Sequence, residues 1–180
     1  MKGRELLIGV SGGIAAFKTA ALVSRLVQAG AGVTVVMTRS AAKLVTPKTF
    51  QALTGRSVLT RVFGPGPHPH IELAQKAELL CIAPATANII AKAALGLADD
   101  LLSTVLLAFD GPVLMAPAMN TLMWQKPAVQ RNVAQLRSDG ATLIDPESGY
   151  LSCGAIGAGR MAEPELIFQI ILDKLNEKSG

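Results

Sequence analysis

The sequence is poor in cysteine and in aromatic side chains. Its 180 residues include only two cysteines, Cys81 and Cys153, and Phe, Trp and Tyr together make up 4% of the chain. Two cysteines cannot form a disulfide framework and suit a reducing compartment, so we expect a cytoplasmic protein. The scarcity of aromatic residues also argues against a surface on which nucleic-acid bases stack.

Long apolar runs and clusters of like charge are missing as well. No apolar run reaches the roughly 20 residues needed to cross a bilayer, so no membrane association is expected. Residues 1–23 have the basic start and apolar middle of a secretory leader, but Glu5 and Lys18 interrupt the apolar run. The net charge of +4 is spread along the whole chain, which makes nucleic acid an unexpected partner.

Small and aliphatic side chains are abundant instead. Half of the residues are hydrophobic, with Ala, Leu, Val and Ile dominant, as is typical of strands buried on both faces and of closely packed helices. The length fits one domain, 1–180, large enough to fold without disulfides. The composition therefore favours an α/β protein.

Hydrophobic periodicity predicts strands that alternate with helices. Strands are expected at residues 5–10, 32–37, 78–83, 112–116 and 141–144, and helices at 14–30, 85–95, 99–109, 121–138 and 164–174. The segment from Ser40 to His70 is interpreted as turns and a mobile loop. This order predicts an open, mostly parallel sheet with helices on both faces. The first two strands and the helix between them should form a right-handed βαβ unit.

Four loops follow predicted strands and should converge at one edge of the sheet. They comprise residues 11–14, 38–40, 84–88 and 117–120. Because ligands of open parallel sheets bind beyond the carboxyl ends of the strands, the site is expected there.

The first of these loops, within GVSGGIAAFKT, joins a strand to a helix, where backbone N–H groups favour an anion. It lacks the second glycine of a nucleotide P-loop, and Ser11 breaks the dinucleotide pattern GxGxxG. Thr38 and Ser40 flank the cation Arg39 and suit a phosphate. Flavin mononucleotide and the 2′-phosphate of NADP remain open, as does a loop that only turns the chain.

Three further motifs carry a resemblance to a known family: HIELA (70–74), PAMNTLMW (117–124) and CGAIGAGRMAEP (153–164). Together with the first loop, they make residues 6–167 similar to the flavin-dependent cysteine decarboxylases, the HFCD flavoproteins. The resemblance implies a three-layer Rossmann-like protomer that binds FMN. It also implies homotrimers, or dodecamers built of trimers, with each flavin held between neighbouring subunits.

The resemblance assigns cofactor contacts to the predicted loops. Ser11, Gly12, Gly13, Ile14 and Ser40 would hold the FMN phosphate, as the hydroxyl of Thr38 also could. The rest of the flavin site would be lined by Pro84, Thr86, Asn88, Ser103 and Ala116.

The resemblance also implies the reaction: FMN-dependent decarboxylation of 4′-phosphopantothenoylcysteine to 4′-phosphopantetheine in coenzyme A biosynthesis. The thiol is oxidised to a thioaldehyde, CO2 leaves, and the enethiol is reduced. His70 would act as a base and Cys153 would donate the final proton. Substrate contacts fall to Asn120, Met119, Met123, Lys18 and Arg160.

Two features qualify this expectation. A synthetase domain follows the decarboxylase in bifunctional relatives, whereas this chain is expected to carry the decarboxylase alone. The family often has Arg-Trp five and six residues after the histidine, but Gln75 and Lys76 stand here. A phosphate or carboxylate contact is therefore expected to have moved to Lys76.

Four alternative functions remain: a peptidyl-cysteine decarboxylase, a flavin prenyltransferase, a regulatory flavoprotein and an NADP-binding reductase. The prenyltransferase is disfavoured because it would have no use for the PAMN motif or for Cys153. Acidic tails are typical of the regulatory relatives, whereas this chain ends in DKLNEKSG.

Overall fold

A five-stranded parallel sheet forms the centre of the computed structural model, which describes residues 1–62, 69–150 and 156–177. The strand order is β2-β1-β3-β4-β5, so the sheet is open and its order reverses between β1 and β3. The strands are β1 (Glu5–Val10), β2 (Gly32–Met37), β3 (Leu79–Ala85), β4 (Val113–Pro117) and β5 (Thr142–Leu143).

Helices cover both faces of the sheet. They are α1 (Ala16–Gln28), α2 (Ala41–Leu44), α3 (Pro47–Thr54), α4 (Pro69–Lys76), α5 (Ala87–Leu95), α6 (Leu101–Ala108), α7 (Thr121–Trp124), α8 (Pro127–Ser138) and α9 (Pro164–Glu177). Among the described residues, no helix has the length and apolar character needed to cross a membrane.

The core is divided into two layers by the strands themselves. Successive side chains of a strand point to opposite faces. Leu6 and Ile8 of β1 pack with α1, α3 and α9, whereas Leu7 packs with α4, α5, α6 and α8. Every residue of β3 is buried, as expected for a central strand. The predicted three-layer α/β architecture is confirmed.

Several of the predicted elements need correction at their ends. β3 runs two residues past Ala83, through a cis Ala83–Pro84 peptide, and pairs with β4 at Ala85. α5 therefore begins at Ala87, where the hydroxyl of Thr86 accepts from the N–H of Ile89. α1 and α6 are shorter than expected at both ends, and β5 spans only two residues. β3 and β4 each begin one residue later than expected, β4 also ends one residue later, and α9 extends to Glu177.

The predicted helix over 121–138 is two helices. α7 ends at Trp124, and α8 starts with Pro127 at its first position. Proline has no backbone N–H and clashes with the preceding turn, so it can begin a helix but not continue one.

The irregular segment predicted for 40–70 contains the helices α2 and α3 and the first residues of α4. Their short lengths weaken any periodic signal. Between α3 and α4, Leu59 forms an isolated parallel bridge with Val36 and so extends the sheet beyond β2. The loop predicted to be mobile, 64–70, lies mostly outside the described residues.

A two-stranded antiparallel hairpin follows the sheet and was missed in the sequence. Its strands are β6 (Glu147–Tyr150) and β7 (Ile156–Arg160). Three of their nine residues are glycine. Because glycine is depleted in strands, its frequency here predicts a loop.

The thiol of Cys81 lies at the centre of β3 with no exposed surface. Burial raises the pKa of this thiol to about 12, so thiolate is scarce near neutral pH. The variant Cys153→Ser leaves Cys81 as the only thiol. We expect a disulfide reagent to label it only after unfolding in guanidinium chloride, as measured by released thiophenolate. Rapid labelling of the native variant would contradict the burial of this side chain.

Candidate functional site

Two joined cavities open at the carboxyl edge of the sheet. The larger, the hydroxyl-lined cavity, has a volume of about 930 Å³ and includes Thr38, Ser40 and Thr60 in its wall. The smaller, the methionine-lined cavity, has a volume of about 640 Å³ and includes Met119, Met123 and Met161. Gly12, Thr86, Ala87 and Met123 belong to both walls, so the two cavities are neighbouring parts of one cleft.

The four loops predicted to converge do meet in this cleft. The predicted cofactor residues in the hydroxyl-lined cavity are Ser11, Gly12, Thr38, Ser40, Thr86 and Asn88, and Gly13 and Ile14 line the methionine-lined cavity. Convergence follows from the parallel sheet, because the carboxyl ends of its strands lie at one edge.

Ser11 ties two of these loops together. Its hydroxyl donates to the carbonyl oxygen of Pro84 at 2.7 Å and accepts from the N–H of Thr86 at 3.0 Å. The side chain is 2% exposed. Because its only proton is already donated, Ser11 holds the cleft in shape and has no hydroxyl proton left for a ligand.

Gly12 makes the closest approach between loops. A Cβ placed on Gly12 would lie 2.4 Å from the Cβ of Ser40. Only glycine allows the loops after β1 and β2 to approach so closely. The hydroxyl of Ser40 does not cap α2, and Thr38 does so instead by accepting from the N–H of Ala41 at 3.2 Å.

The hydroxyl-lined cavity also contains residues that the sequence interpretation missed. Thr60, Arg61 and Val62 line its wall. The bridge at Leu59 brings them there, since the N–H of Met37 donates to the carbonyl of Leu59 at 2.9 Å. The two adjacent β-compatible apolar residues Val58 and Leu59 are a weak local signal for this pairing.

A paired lysine forms another part of the same wall. Lys92 contacts Asp99 at 2.6 Å and Asp100 at 2.7 Å. Burial works against the charged form of Lys92, but its hydrogen bonds to the two carboxylates more than offset this and raise its pKa. Asp100 also begins α6 through a capping box with Ser103.

The methionine-lined cavity collects all five predicted substrate residues. They are Lys18, Met119, Asn120, Met123 and Arg160, contributed by α1, by the loop after β4, by α7 and by β7. Asn120 also caps α7, because its side-chain oxygen accepts from the N–H of Leu122 at 2.8 Å. The cap was predicted from the sequence and is confirmed.

The hairpin closes one side of this cavity through its glycines. The N–H of Met119 donates to the carbonyl of Gly159 at 2.9 Å. A Cβ on Gly159 would lie 2.2 Å from the carbonyl oxygen of Met119, and one on Gly157 would lie 2.5 Å from the hydroxyl of Thr121. The hairpin can therefore pack this closely only with glycine at both positions.

Both cations of the cavity are ion-paired to one carboxylate. Glu163 accepts from the ammonium of Lys18 at 2.9 Å and from the guanidinium of Arg160. The hydrogen bond from Lys18 is the main reason that the pKa of Glu163 lies below its ordinary value, and Arg160 adds to the effect.

Several predicted residues lie elsewhere. Pro84 and Ala116 are buried in β3 and β4, and the hydroxyl of Ser103 is turned into the capping box of α6. None of the three lines the cleft, and Ser103 lines a separate cavity beside α6. Their assignment as cofactor contacts stays a prediction. Cys153 lies outside the described residues.

His70 and Lys76 lie at opposite ends of α4. A helix that precedes a parallel strand runs against it, so its first turn, with His70, lies towards the carboxyl edge. Its last turn, with Lys76, lies beside Glu5 at the amino edge. Lys76 is therefore remote from the cleft of its own chain, and the expected anion contact is not supported. In the described part of the chain, His70 is outside the cleft lining.

The sequence profile of the Flavoprotein family matches residues 1–176. The chain belongs to this family. A match of this extent includes all the loops that form the cleft.

The curated relatives of this family member include bifunctional proteins of coenzyme A biosynthesis named CoaBC. The protein from Bacillus subtilis is 51% identical over 173 residues, which are 94% of this chain and 43% of the relative. The protein from Haemophilus influenzae is 44% identical over 181 residues, 99% of this chain and 45% of the relative. The chain thus spans less than half the length of these relatives.

Solved structures share the fold of this flavoprotein-family chain. A mutant PPC decarboxylase complexed with pantothenoylaminoethenethiol has a TM-score of 0.84 and 35% identity, over 95% of this chain and 97% of the other. The FMN-dependent cysteine decarboxylase SpaF has a TM-score of 0.85 and 35% identity, over 99% and 98%.

The close packing at Gly159 can be tested by Gly159→Ala. A side chain there would clash with Met119 and would strain a backbone with φ of 135°. We expect the free energy of unfolding to fall by about 3 kcal/mol or more, measured by urea denaturation. Gly140→Ala is the control: φ is 91° but nothing lies within 4 Å, so a loss of only about 1 kcal/mol is expected. Equal losses would show that the hairpin does not pack as described.

Proposed function

We propose that this chain binds FMN in the cleft and decarboxylates 4′-phosphopantothenoylcysteine to 4′-phosphopantetheine in the cytoplasm. The observation that carries the proposal is that Lys18, Met119, Asn120, Met123 and Arg160 line one cavity, which shares four wall residues with the hydroxyl-lined cavity. The relatives named for coenzyme A biosynthesis and the PPC decarboxylase fold support the same reaction.

The hydroxyl-lined cavity fits FMN in size and chemistry. Its volume of about 930 Å³ is within the range of cofactor sites. The close approach of Gly12 to Ser40 forms a cradle that a side chain would fill. Arg39 and Arg61 lie on the same wall and offer positive charge to a phosphate. When bound, FMN supplies the two-electron redox chemistry that a thiol-to-thioaldehyde conversion requires.

The chain's own residues bind and orient the substrate. Lys18 and Arg160 suit its anionic phosphate, and Asn120 suits a carboxylate or an amide. The methionine side chains exclude water around the sulfur and its neighbouring carbon. His70 takes the thiol proton, and Cys153 returns a proton to the product.

The site is completed by a second copy of the chain, in a homotrimer or a dodecamer of trimers. Large apolar side chains in the lining of the methionine-lined cavity are exposed: Ile14 is 56% exposed, Phe17 62% and Met123 48%. Exposed apolar side chains beside a cleft suit subunit contact. His70, outside the lining of its own cleft, would then serve the cleft of a neighbour.

A cofactor test follows from Gly12 in the first loop. Gly12→Ala is expected to push the loops apart and to raise the Kd for FMN about tenfold or more, equivalent to about 1.4 kcal/mol. Gly111→Ala is the control and should bind FMN as the wild type does, because its Cβ would also clash, 2.5 Å from the ring of Phe109, but away from the cleft lining. Flavin content is read from visible absorbance. A wild-type protein that binds no FMN on reconstitution would refute the proposal, whereas NADP binding would support a reductase.

Turnover is tested by incubating the FMN-loaded protein with 4′-phosphopantothenoylcysteine and measuring CO2 and 4′-phosphopantetheine. His70→Asn should retain its flavin and lower kcat by about 10²-fold to 10⁴-fold, because it removes the base. A peptide ending in cysteine is the competing substrate. Preference for the peptide would replace the proposed substrate with a peptidyl one, and no release of CO2 from either would leave a non-catalytic flavoprotein.

The shared site is tested by complementation. His70→Asn and Asn120→Asp chains are each expected to be inactive alone. Co-expressed, they should regain roughly a quarter of wild-type activity, since random mixing in a symmetric ring gives that share of sites with both residues intact. No recovery would place His70 and Asn120 in the same chain's site.

A further inference from the structure

Glu163 lies at the junction of three elements beside the methionine-lined cavity. It follows β7 closely and precedes Pro164, the first residue of α9. Its carboxylate accepts from the ammonium of Lys18 on α1 at 2.9 Å and from the guanidinium of Arg160 on β7. Its backbone N–H donates to the carboxylate of Glu147 on β6 at 3.3 Å.

The two cations it binds are themselves residues of the cavity wall, whereas Glu163 is not part of the described lining. Lys18 is 11% exposed, so it has little water to screen its charge. Its ammonium also donates to the carbonyl oxygen of Met161 at 3.1 Å, which fixes its direction. Arg160 is 41% exposed and uses one terminal nitrogen for Glu163, so other donors of its guanidinium can meet a ligand.

Both cations approach the same oxygen of Glu163, which holds two like charges next to each other. Without a carboxylate between them, Lys18 and Arg160 would repel each other and move apart. The hydrogen bond from Lys18 holds the pKa of Glu163 below its ordinary value, and Arg160 contributes further. The carboxylate therefore stays ionised at neutral pH. The carboxylate of Glu147 lies nearby, since it accepts from the backbone N–H of Glu163.

We propose that Glu163 is a positioning residue that holds Lys18 and Arg160 as a fixed pair of cations on the wall of the methionine-lined cavity. This pair binds the anionic phosphate of the substrate. The inference rests on the proposed function. Glu163 acts through the two cations and has no direct contact with the substrate. Its effect should therefore appear in substrate binding, and it should depend on the presence of Lys18.

The test compares Glu163→Gln with Glu165→Gln. Both remove one negative charge near the start of α9, but Glu165 is 63% exposed and pairs with Arg25 on the surface. For Glu163→Gln we expect KM for 4′-phosphopantothenoylcysteine to rise about tenfold with kcat within a few fold of wild type. Glu165→Gln should match wild type. Glu163→Asp keeps the charge and should recover part of the affinity.

A double-mutant cycle with Lys18→Met separates positioning from a general effect on folding. Glu163 still pairs with Arg160 when Lys18 is absent, so Glu163→Gln should change kcat/KM in the Lys18→Met background by a smaller factor than in the wild-type background. Equal effects in both backgrounds would overturn the proposal. A lower KM in Glu163→Gln would also overturn it, because Glu163 would then compete with the substrate for the cations.

Alternative measurements apply if Glu163→Gln does not fold or if the wild-type protein shows no decarboxylase activity. Circular dichroism and flavin content show whether Glu163→Gln folds. If it does not, Glu163→Asp replaces it in the double-mutant cycle, in the wild-type and Lys18→Met backgrounds. If the wild-type protein releases no CO2, the variants are titrated with inorganic phosphate. Binding is then monitored through the backbone amide chemical shifts of Lys18 and Arg160. Weaker phosphate binding in Glu163→Gln than in Glu165→Gln supports positioning, and equal binding refutes it.

Discussion

Ser11 links the loops on which the cleft depends. Its buried hydroxyl holds the turn after β1 against Pro84 and Thr86 at the end of β3. The strands β1 and β3 are neighbours at the point where the strand order reverses, so the loops beyond them diverge unless something joins them. With this hydrogen-bonded contact in place, Gly12 can lie against Ser40 and the two cavities remain one cleft.

The two halves of the cleft differ in chemistry because different elements form them. The hydroxyl-lined cavity is built by loops of the parallel sheet, which offer hydroxyls and cations suited to a phosphate. The methionine-lined cavity adds α1, α7 and the hairpin to the sheet loops, and the hairpin packs against Met119 through Gly159. A redox cofactor in the first cavity and a thiol substrate in the second would therefore meet at their shared wall, beside Thr86 and Met123.

Much of this arrangement could be predicted from local patterns. The buried strands and long helices have clear periodicity, and Asn120 caps its helix as its position suggests. The hairpin could not be predicted, because Gly157 packs closely against α7 and Gly159 against Met119, rather than serving strand propensity. Arg61 was missed for a similar reason: a single bridge at Leu59 brings it to the cleft.

The sequence by itself determined the α/β class, the converging loops and the residue types available to the site, since these follow from periodicity and strand order. Only the tertiary structure decided how those residues are used. It turned the hydroxyls of Ser11 and Ser103 inward, and it paired Lys18 and Arg160 with Glu163. The reason is physical: a hydrogen bond or an ion pair depends on distances between residues far apart in the chain, which local patterns do not contain.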